Sequence, residues 1–279
     1  MSYKIIGDSC LDLTEELKKD SHFQMIPLTL QVDDMQVIDD ETFDQKKFLA
    51  MVKASPNCPK TACPSPEMFK EAYECDAENI FVITLSSNLS GTYNSAVLAK
   101  GLYEEEHGKK NIAVIDSWSA SSGELNIGLM IRDLCEQGMP FEEVVEKVTQ
   151  YTQHEMKTYF VLESLDTLRK NGRLSGLQAF FATTLNIKPV MGADKGNIIK
   201  LDQARGINKA LVRMCELAVK EAKNPETLRV IVAHCNNEAR AQLVKEELSR
   251  RAPFKEILVT ETAGVATVYA SDGGIILAL

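Results

Sequence analysis

Short apolar runs rich in β-branched residues alternate along this chain with longer amphipathic stretches, and this alternation restricts the possible folds most strongly. In the first half, strands are predicted at residues 4–7, 25–32, 80–85 and 112–115, and helices at residues 43–53, 66–74, 92–106, 124–137 and 141–154. Strands that alternate with helices in this way form βαβ units, whose strands pair in parallel. The first half therefore predicts an α/β domain built on a parallel sheet.

The second half keeps the alternation but contains one pattern of a different kind. Strands are predicted at residues 158–162, 187–191, 198–200, 230–233 and 257–260, and helices at residues 177–185, 207–223 and 238–251. The turn-rich residues 193–197 predict an antiparallel hairpin between two of these strands. We therefore expect two domains, residues 1–156 (α/β) and residues 157–279 (mixed α/β), with C-terminal residues that pack back at the interface. No low-complexity linker separates them, so we expect a packed interface, and ligands often bind between domains.

Composition excludes several classes of function for these 279 residues. Lys and Arg total 31 against 40 for Asp and Glu, a net charge of -9, which argues against nucleic-acid binding. No apolar run approaches the roughly 18 residues that cross a bilayer, and the N-terminus lacks the pattern of a signal peptide. The seven cysteines and four histidines are scattered without zinc-site spacing. We expect a cytoplasmic protein with free thiols.

Two predicted strands of the first half end in the same pair of residues. Asp8 and Ser9 follow the first strand, and Asp116 and Ser117 follow the strand at residues 112–115. Ligands of open α/β sheets bind at the carboxyl ends of the strands, so these residues are candidates for a site. They are equally candidates for caps of backbone N–H groups. Asp8 and Asp116 as ligands of a divalent metal remain one alternative.

The turn between a predicted strand and helix at residues 85–93 is the most informative segment. It contains Ser87, Ser90 and Gly91 at the start of a predicted helix. A helix N-terminus presents unpaired N–H groups and partial positive charge, so this turn predicts a cradle for a carboxylate or a phosphate. The alternative is an ordinary capped turn. The segment matches neither a P-loop, nor a dinucleotide fingerprint, nor a nucleophile elbow.

Three further segments carry candidate polar residues. In the loop at residues 60–66, two prolines limit the backbone freedom and so favour a fixed orientation of Thr61, although the loop also fits a plain connection followed by a helix cap. The basic turn at residues 168–173 ends in Arg173, and Arg205 precedes a predicted helix. Each of these two arginines fits either a solvated helix end or a docking surface for a partner.

Together these motifs resemble the DegV family of bacterial fatty acid-binding proteins, over essentially the whole chain. The most specific match is the Ser-Ser-x-Leu-Ser-Gly-Thr motif at residues 86–92. The other matches are Asp8-Ser9, the loop at residues 61–65, the turn at residues 170–173, Ile187-Lys188-Pro189 and the region of Arg205. The resemblance implies a two-domain α/β fold with a parallel sheet in the first domain and a ligand between the domains.

The resemblance also implies one long-chain fatty acid as the ligand, with no other cofactor. Thr61 and Ser90 would bind its carboxylate, with Ser87, Gly91 and Tyr269 contributing to the same site. The tail would be buried, and the candidate wall residues along one predicted helix are Leu177, Phe180, Phe181 and Leu185. Plain core packing is the alternative for those four. Several family members are the lipid-presenting subunit of a fatty acid kinase, which would make Arg205 and Arg173 docking residues for a catalytic subunit.

The chain departs from the family pattern at the expected headgroup site. Cys63 stands where the loop usually has Gln, Ala62 where it has Ser, and Tyr269 where the family commonly has His. A phenol donates a hydrogen bond to a carboxylate but does not take up a proton as His does. We predict a monomeric lipid carrier, not an enzyme. The alternatives are a metal-dependent small-molecule enzyme that uses Asp8 and Asp116, and a sensor of a polar anionic metabolite.

Overall fold

The computed structural model describes residues 2–174 and 186–279, in which three sheets organise the fold. The strands are β1 Tyr3–Asp8, β2 Phe23–Ile26, β3 Thr29–Val32, β4 Met35–Ile38, β5 Lys60–Ala62, β6 Asn79–Thr84, β7 Asn111–Asp116, β8 Thr158–Val161, β9 Ile187–Asp194, β10 Asn197–Arg205, β11 Arg229–His234, β12 Glu256–Glu261 and β13 Ile275–Ala278. The helices are α1 Gln45–Ala54, α2 Pro66–Tyr73, α3 Thr92–His107, α4 Ser122–Glu136, α5 Phe141–Gln150, α6 Asp166–Lys170, α7 Ile207–Glu221, α8 Glu238–Arg251 and α9 Gly264–Ala270. The predicted helix at residues 177–185 lies outside the described residues.

The first sheet is parallel, as predicted, with the strand order β2-β1-β6-β7. Its central strand β6 is buried along its whole length, which explains the nearly continuous apolar run at Ile80, Phe81, Val82 and Ile83. Parallel pairing places the carboxyl ends of β1, β6 and β7 at one edge. The polar residues that follow these strands are therefore neighbours, as the sequence indicated.

The second sheet is mixed and has the order β10-β9-β8-β13-β11-β12. Only the β11–β12 pair of this sheet is parallel, and the remaining pairs are antiparallel. The predicted hairpin is confirmed as β9 and β10. It turns at Lys195 and Gly196, which both have positive φ, as a tight turn that matches the strand twist requires.

A small third sheet, β4-β3-β5, differs from the sequence-based expectation. The prediction of one strand over residues 25–32 is wrong, because the chain leaves the first sheet after β2 and enters the third with β3. Pro27 lies at this break, where a residue without an N–H group cannot continue the ladder. The predicted loop around Thr61 also contains strand β5, in which Thr61 lies opposite Leu30. Thr61 is therefore held by strand pairing as well as by the prolines after it.

Helix α4 lies between the two large sheets and contacts β1 and β6 on one side and β11 and β13 on the other. Most of its residues are buried, and Ile231 of the second sheet belongs to the apolar cluster of the first. The two halves of the chain therefore pack together directly. The expected boundary near Lys157 falls just before β8 and stays a prediction. Within the described ranges, no helix is long and apolar enough to cross a membrane.

Candidate functional site

A cavity lies between the carboxyl edge of the first sheet and the face of the second. The space between its lining atoms, including solvent at its mouth, is about 840 Å³. Its wall is mostly apolar and includes Leu28, Leu85, Leu89, Trp118, Ala120, Phe160, Leu162, Leu168, Ile198, Val265, Ala266 and Ile276. The wall combines residues from both halves of the chain, and such a surface suits a long apolar ligand.

Four polar residues of the cavity wall make up what we call the polar cluster: Thr61, Ser90, Arg173 and Tyr269. The Thr61 and Tyr269 hydroxyl oxygens are 2.9 Å apart. This bond uses one hydroxyl hydrogen of the pair and leaves the other for a ligand. Ser90 Oγ lies 2.9 Å from Thr92 Oγ1, which leaves a similar donor there. The structure thus brings together Thr61, Ser90 and Tyr269, three of the residues that the sequence nominated for a headgroup.

Arg173 brings a positive charge to the polar cluster. From the sequence, Arg173 was expected at a solvated helix end or at a docking surface, and not at the headgroup site. Its Nε donates to the Leu89 carbonyl oxygen at 3.2 Å, and its guanidinium lies 5.7 Å from the centre of the Tyr269 ring. A second bond goes to the Asn171 carbonyl oxygen. Both bonds go to neutral acceptors, so within the described residues they leave the charge available to an anion.

The remaining nominated residues lie elsewhere. Ser87 and Gly91 are exposed and do not line the cavity. Gly91 packs beside Cys63, whose sulfur would lie 3.3 Å from a Cβ at this position. Arg205 is exposed at the end of β10. The proposed tail residues Leu177, Phe180, Phe181 and Leu185 lie outside the described residues, so their role stays a prediction.

Aspartates at the ends of β1 and β7 hold the turn that carries Ser90. Asp8 accepts hydrogen bonds from the backbone N–H groups of Cys10 and Leu85, at 2.9 and 2.8 Å. Asp116 accepts from those of Ser87 and Trp118, at 3.1 and 3.2 Å. These carboxylates therefore act as caps. Within residues 2–174 and 186–279, no group of three or more His, Cys, Asp or Glu residues could hold a metal ion.

The β9–β10 hairpin fixes the same turn from the second half of the chain. Ser86 Oγ donates to the Gly196 carbonyl oxygen at 2.9 Å, and Asn88 Nδ2 donates to that of Lys195 at 2.8 Å. A Cβ at Gly196 would lie 2.4 Å from Ser86 Oγ, so the close approach requires glycine. Ser90 is thus positioned by elements of both halves.

Four acidic side chains in the first half of the chain are buried: Asp8, Asp12, Asp39 and Glu124. Burial raises the pKa of Asp8 to about 7, of Asp12 to about 8 and of Asp39 to about 6. Burial also raises the pKa of Glu124 well above its usual range. Asp39 accepts from the N–H groups of Gly264 and Val265, so it caps α9, which carries Tyr269. Sequence reasoning missed α9 and this role of Asp39.

The fold and the cavity define a class of two-domain α/β proteins that enclose an apolar cavity with a polar end between their sheets. The DegV family model matches residues 2–278. The chain belongs to the DegV family, which confirms the family resemblance and the fold class.

Solved structures of the family superpose over the whole chain. A DegV family protein from Ruminococcus gnavus, refined with vaccenic acid, is 49% identical with a TM-score of 0.97 and 100% coverage of both chains. The Streptococcus pneumoniae Fatty Acid Kinase (Fak) B3 protein, loaded with linoleic acid, is 36% identical with a TM-score of 0.90, covering 100% of this chain and 99% of that one. A DegV domain-containing protein of Streptococcus pneumoniae is 37% identical over 281 residues, covering 99% of this chain and 98% of the relative.

Proposed function

We propose that this protein binds one long-chain fatty acid, with its carboxylate at the polar cluster and its tail along the apolar cavity. The observation that carries the proposal is the joining of these two environments in one cavity, with Thr61, Ser90, Arg173 and Tyr269 at its polar end. The relatives from Ruminococcus gnavus and Streptococcus pneumoniae, whose structures hold vaccenic and linoleic acid, support the same ligand class.

The two ends of such a ligand meet the physical requirements of binding in different ways. A buried carboxylate needs hydrogen bonds or a counter-charge to offset its desolvation, and the hydroxyls and the guanidinium of the polar cluster supply both. The tail contributes affinity at about 0.8 kcal/mol per methylene, on the order of 10 kcal/mol for a long chain before association costs. The cavity favours this ligand over a small polar metabolite, because most of its wall is apolar.

Organic extraction of the purified protein, followed by lipid analysis, tests this proposal. We expect a fatty acid in about equimolar amount with the protein. Thr61→Val and Ser90→Ala remove one hydroxyl each with little change of shape, and each should weaken oleate binding about tenfold. Lys18→Ala, far from the cavity, is the matched surface control. Protein without a bound lipid that also fails to bind added oleate would exclude the proposal.

We infer further that the protein is a carrier, not a catalyst, and presents its fatty acid to a separate kinase subunit. The support is the likeness to the Fak B3 protein. Arg205 is exposed and stands apart from the polar cluster, which fits docking to a partner. Arg205→Glu should leave oleate affinity unchanged and reduce phosphorylation of bound oleate by a fatty acid kinase catalytic subunit. Equal phosphorylation by the variant and the wild type would remove Arg205 from the interface. A cytoplasmic location stays a prediction.

A further inference from the structure

Asp12 is a buried aspartic acid that joins three segments around the cavity. Its Oδ1 accepts from the Ala263 N–H at 2.6 Å, and its Oδ2 accepts from the Ser121 hydroxyl at 2.5 Å. Its backbone carbonyl accepts from the Thr260 hydroxyl at 2.9 Å. The Asp12 side chain therefore links the start of α9 to the loop after β7, and its backbone carbonyl adds the end of β12.

Two of these segments belong to the cavity wall. Ser121 lines the cavity directly. Ala263 immediately precedes α9, and two residues of its first turn, Val265 and Ala266, and two of its last, Tyr269 and Ala270, also line the cavity. Asp12 therefore binds one residue of the cavity wall, Ser121, and one residue next to another part of the wall, Ala263.

The geometry of α9 carries the effect of Asp12 to the polar cluster. The helix has seven residues, so at 1.5 Å per residue its two ends are about 10 Å apart. Asp12 holds the residue before its N-terminus, and Tyr269 stands near its C-terminus with its hydroxyl 2.9 Å from that of Thr61. Such a short helix moves as one body, so a tilt at one end displaces the phenol at the other.

The local backbone and burial indicate that the carboxylate is there for these bonds. Asp12 and Ser121 both have positive φ, at 49° and 56°, a region that few residues other than glycine, asparagine and aspartate occupy. Asp12 is 1% exposed, and burial raises its pKa to about 8. At a site that needed only packing, an apolar residue would avoid the desolvation free energy of a buried carboxyl group.

We propose that Asp12 is a positioning residue for the fatty acid site: by binding Ala263 and Ser121 it fixes α9 and so places the Tyr269 hydroxyl beside Thr61. The inference rests on the proposed function. It adds a residue that touches no ligand and that lies outside every motif of the family resemblance. Removal of its two acceptor oxygens weakens fatty acid binding through Tyr269, while an isosteric amide preserves it.

A double-mutant cycle between Asp12 and Tyr269 tests the proposal. Trp118 is the only tryptophan of the chain and lines the cavity, so its fluorescence reports oleate binding to lipid-stripped protein. Asp12→Ala should weaken oleate binding about tenfold, and Asp12→Asn less than about twofold. The asparagine amide accepts from the Ala263 N–H and donates to the Ser121 oxygen. In the Tyr269→Phe background, Asp12→Ala should add less than about twofold, because the group it positions is gone.

Matched variants separate positioning from general loss of stability. Val148 lies in an apolar cluster away from the cavity, and Val148→Ala should lower the melting temperature about as much as Asp12→Ala does. It should leave the affinity for oleate unchanged. Ser121→Ala removes a single bond of Asp12 and keeps the test available if Asp12→Ala does not fold. We expect it to weaken binding about threefold, again with no further loss in the Tyr269→Phe background.

The possible outcomes distinguish this inference from the proposed function. Additive effects of Asp12→Ala and Tyr269→Phe would overturn the inference, and so would an affinity loss in Asp12→Asn equal to that in Asp12→Ala. Either result would leave fatty acid binding in place. Failure of the wild-type protein to bind oleate would instead refute the proposed function.

Discussion

The ionisation of buried aspartates should make the stability of this protein depend on pH. Burial raises the pKa values of Asp8, Asp12 and Asp39 to about 7, 8 and 6, above the value of 3.8 for an unperturbed aspartate. Between about pH 4 and pH 8 the folded protein therefore keeps protons that the unfolded chain has released. These groups stabilise the fold fully at the low end of this window, and their contribution is lost as the pH rises.

Asp12→Asn isolates one of these groups, because the amide does not titrate. Relative to wild type, the unfolding free energy of this variant should rise by about 3 kcal/mol between pH 5.5 and pH 8.5, measured by urea unfolding. Asp40→Asn is the control. Its carboxyl has a lowered pKa because of hydrogen bonds from Thr42, so its titration is complete below this window. Parallel stability curves for Asp12→Asn and wild type would contradict the assigned role of burial.

Individual site residues were predictable where a local motif carried them. Thr61 and Ser90 stand in hydroxyl-rich motifs beside prolines or a helix start, and both line the cavity. Arg173 could not be assigned to the cavity, because only the pairing of distant segments brings its turn against Leu89. The cap of α9 by Asp39 joins residues more than 220 positions apart, and no local signal predicts such a contact.

At the scale of elements, α9 is the clearest case of a helix formed by its surroundings. Its sequence, Gly-Val-Ala-Thr-Val-Tyr-Ala, contains a glycine and three β-branched residues, which lower helix propensity. Asp39 supplies acceptors for its first N–H groups, Asp12 binds the residue before it, and most of its residues are buried. Helix formation here depends on tertiary contacts that the local sequence does not show, so α9, which presents Tyr269, could not be predicted from it.

Gly264→Ala tests how closely α9 is fitted at its first residue. A Cβ there would lie 2.5 Å from Asp39 Oδ1 and 2.6 Å from Leu30 Cδ1, so the cap and the core would both have to shift. We expect the unfolding free energy to fall by about 2–4 kcal/mol, measured by urea unfolding. Gly101→Ala is the matched control, since no atom lies within 4 Å of its added Cβ in α3. It should gain about 0.5–1 kcal/mol, and equal losses in both variants would refute the close fit.

At the scale of the whole molecule, α4 and the cavity depend on both halves of the chain. Periodicity predicted α4 and three of the strands that it contacts, β1, β6 and β11, because local apolar patterns mark buried faces, but β13 was missed. It did not predict that α4 contacts both sheets, since a pattern says that a face is covered but not by which element. The cavity could not be predicted for the same reason, because Leu85 and Trp118 from the first half and Phe160 and Ile198 from the second form its wall together.

A ligand held between the two halves should stabilise them together. Free fatty acid at about 100 times its dissociation constant adds about 2.7 kcal/mol to the unfolding free energy. For a chain of this size that corresponds to a rise in melting temperature of about 5 °C or more over the lipid-stripped protein. Because both halves line the cavity, the melting temperatures measured by Trp118 fluorescence and by far-ultraviolet circular dichroism should rise by the same amount.

Acetate, which has the carboxylate without the tail, is the control and should leave the melting temperature almost unchanged. An equal shift with acetate would assign the binding energy to the polar cluster alone, and a shift in one probe only would mean that the ligand contacts one half of the molecule.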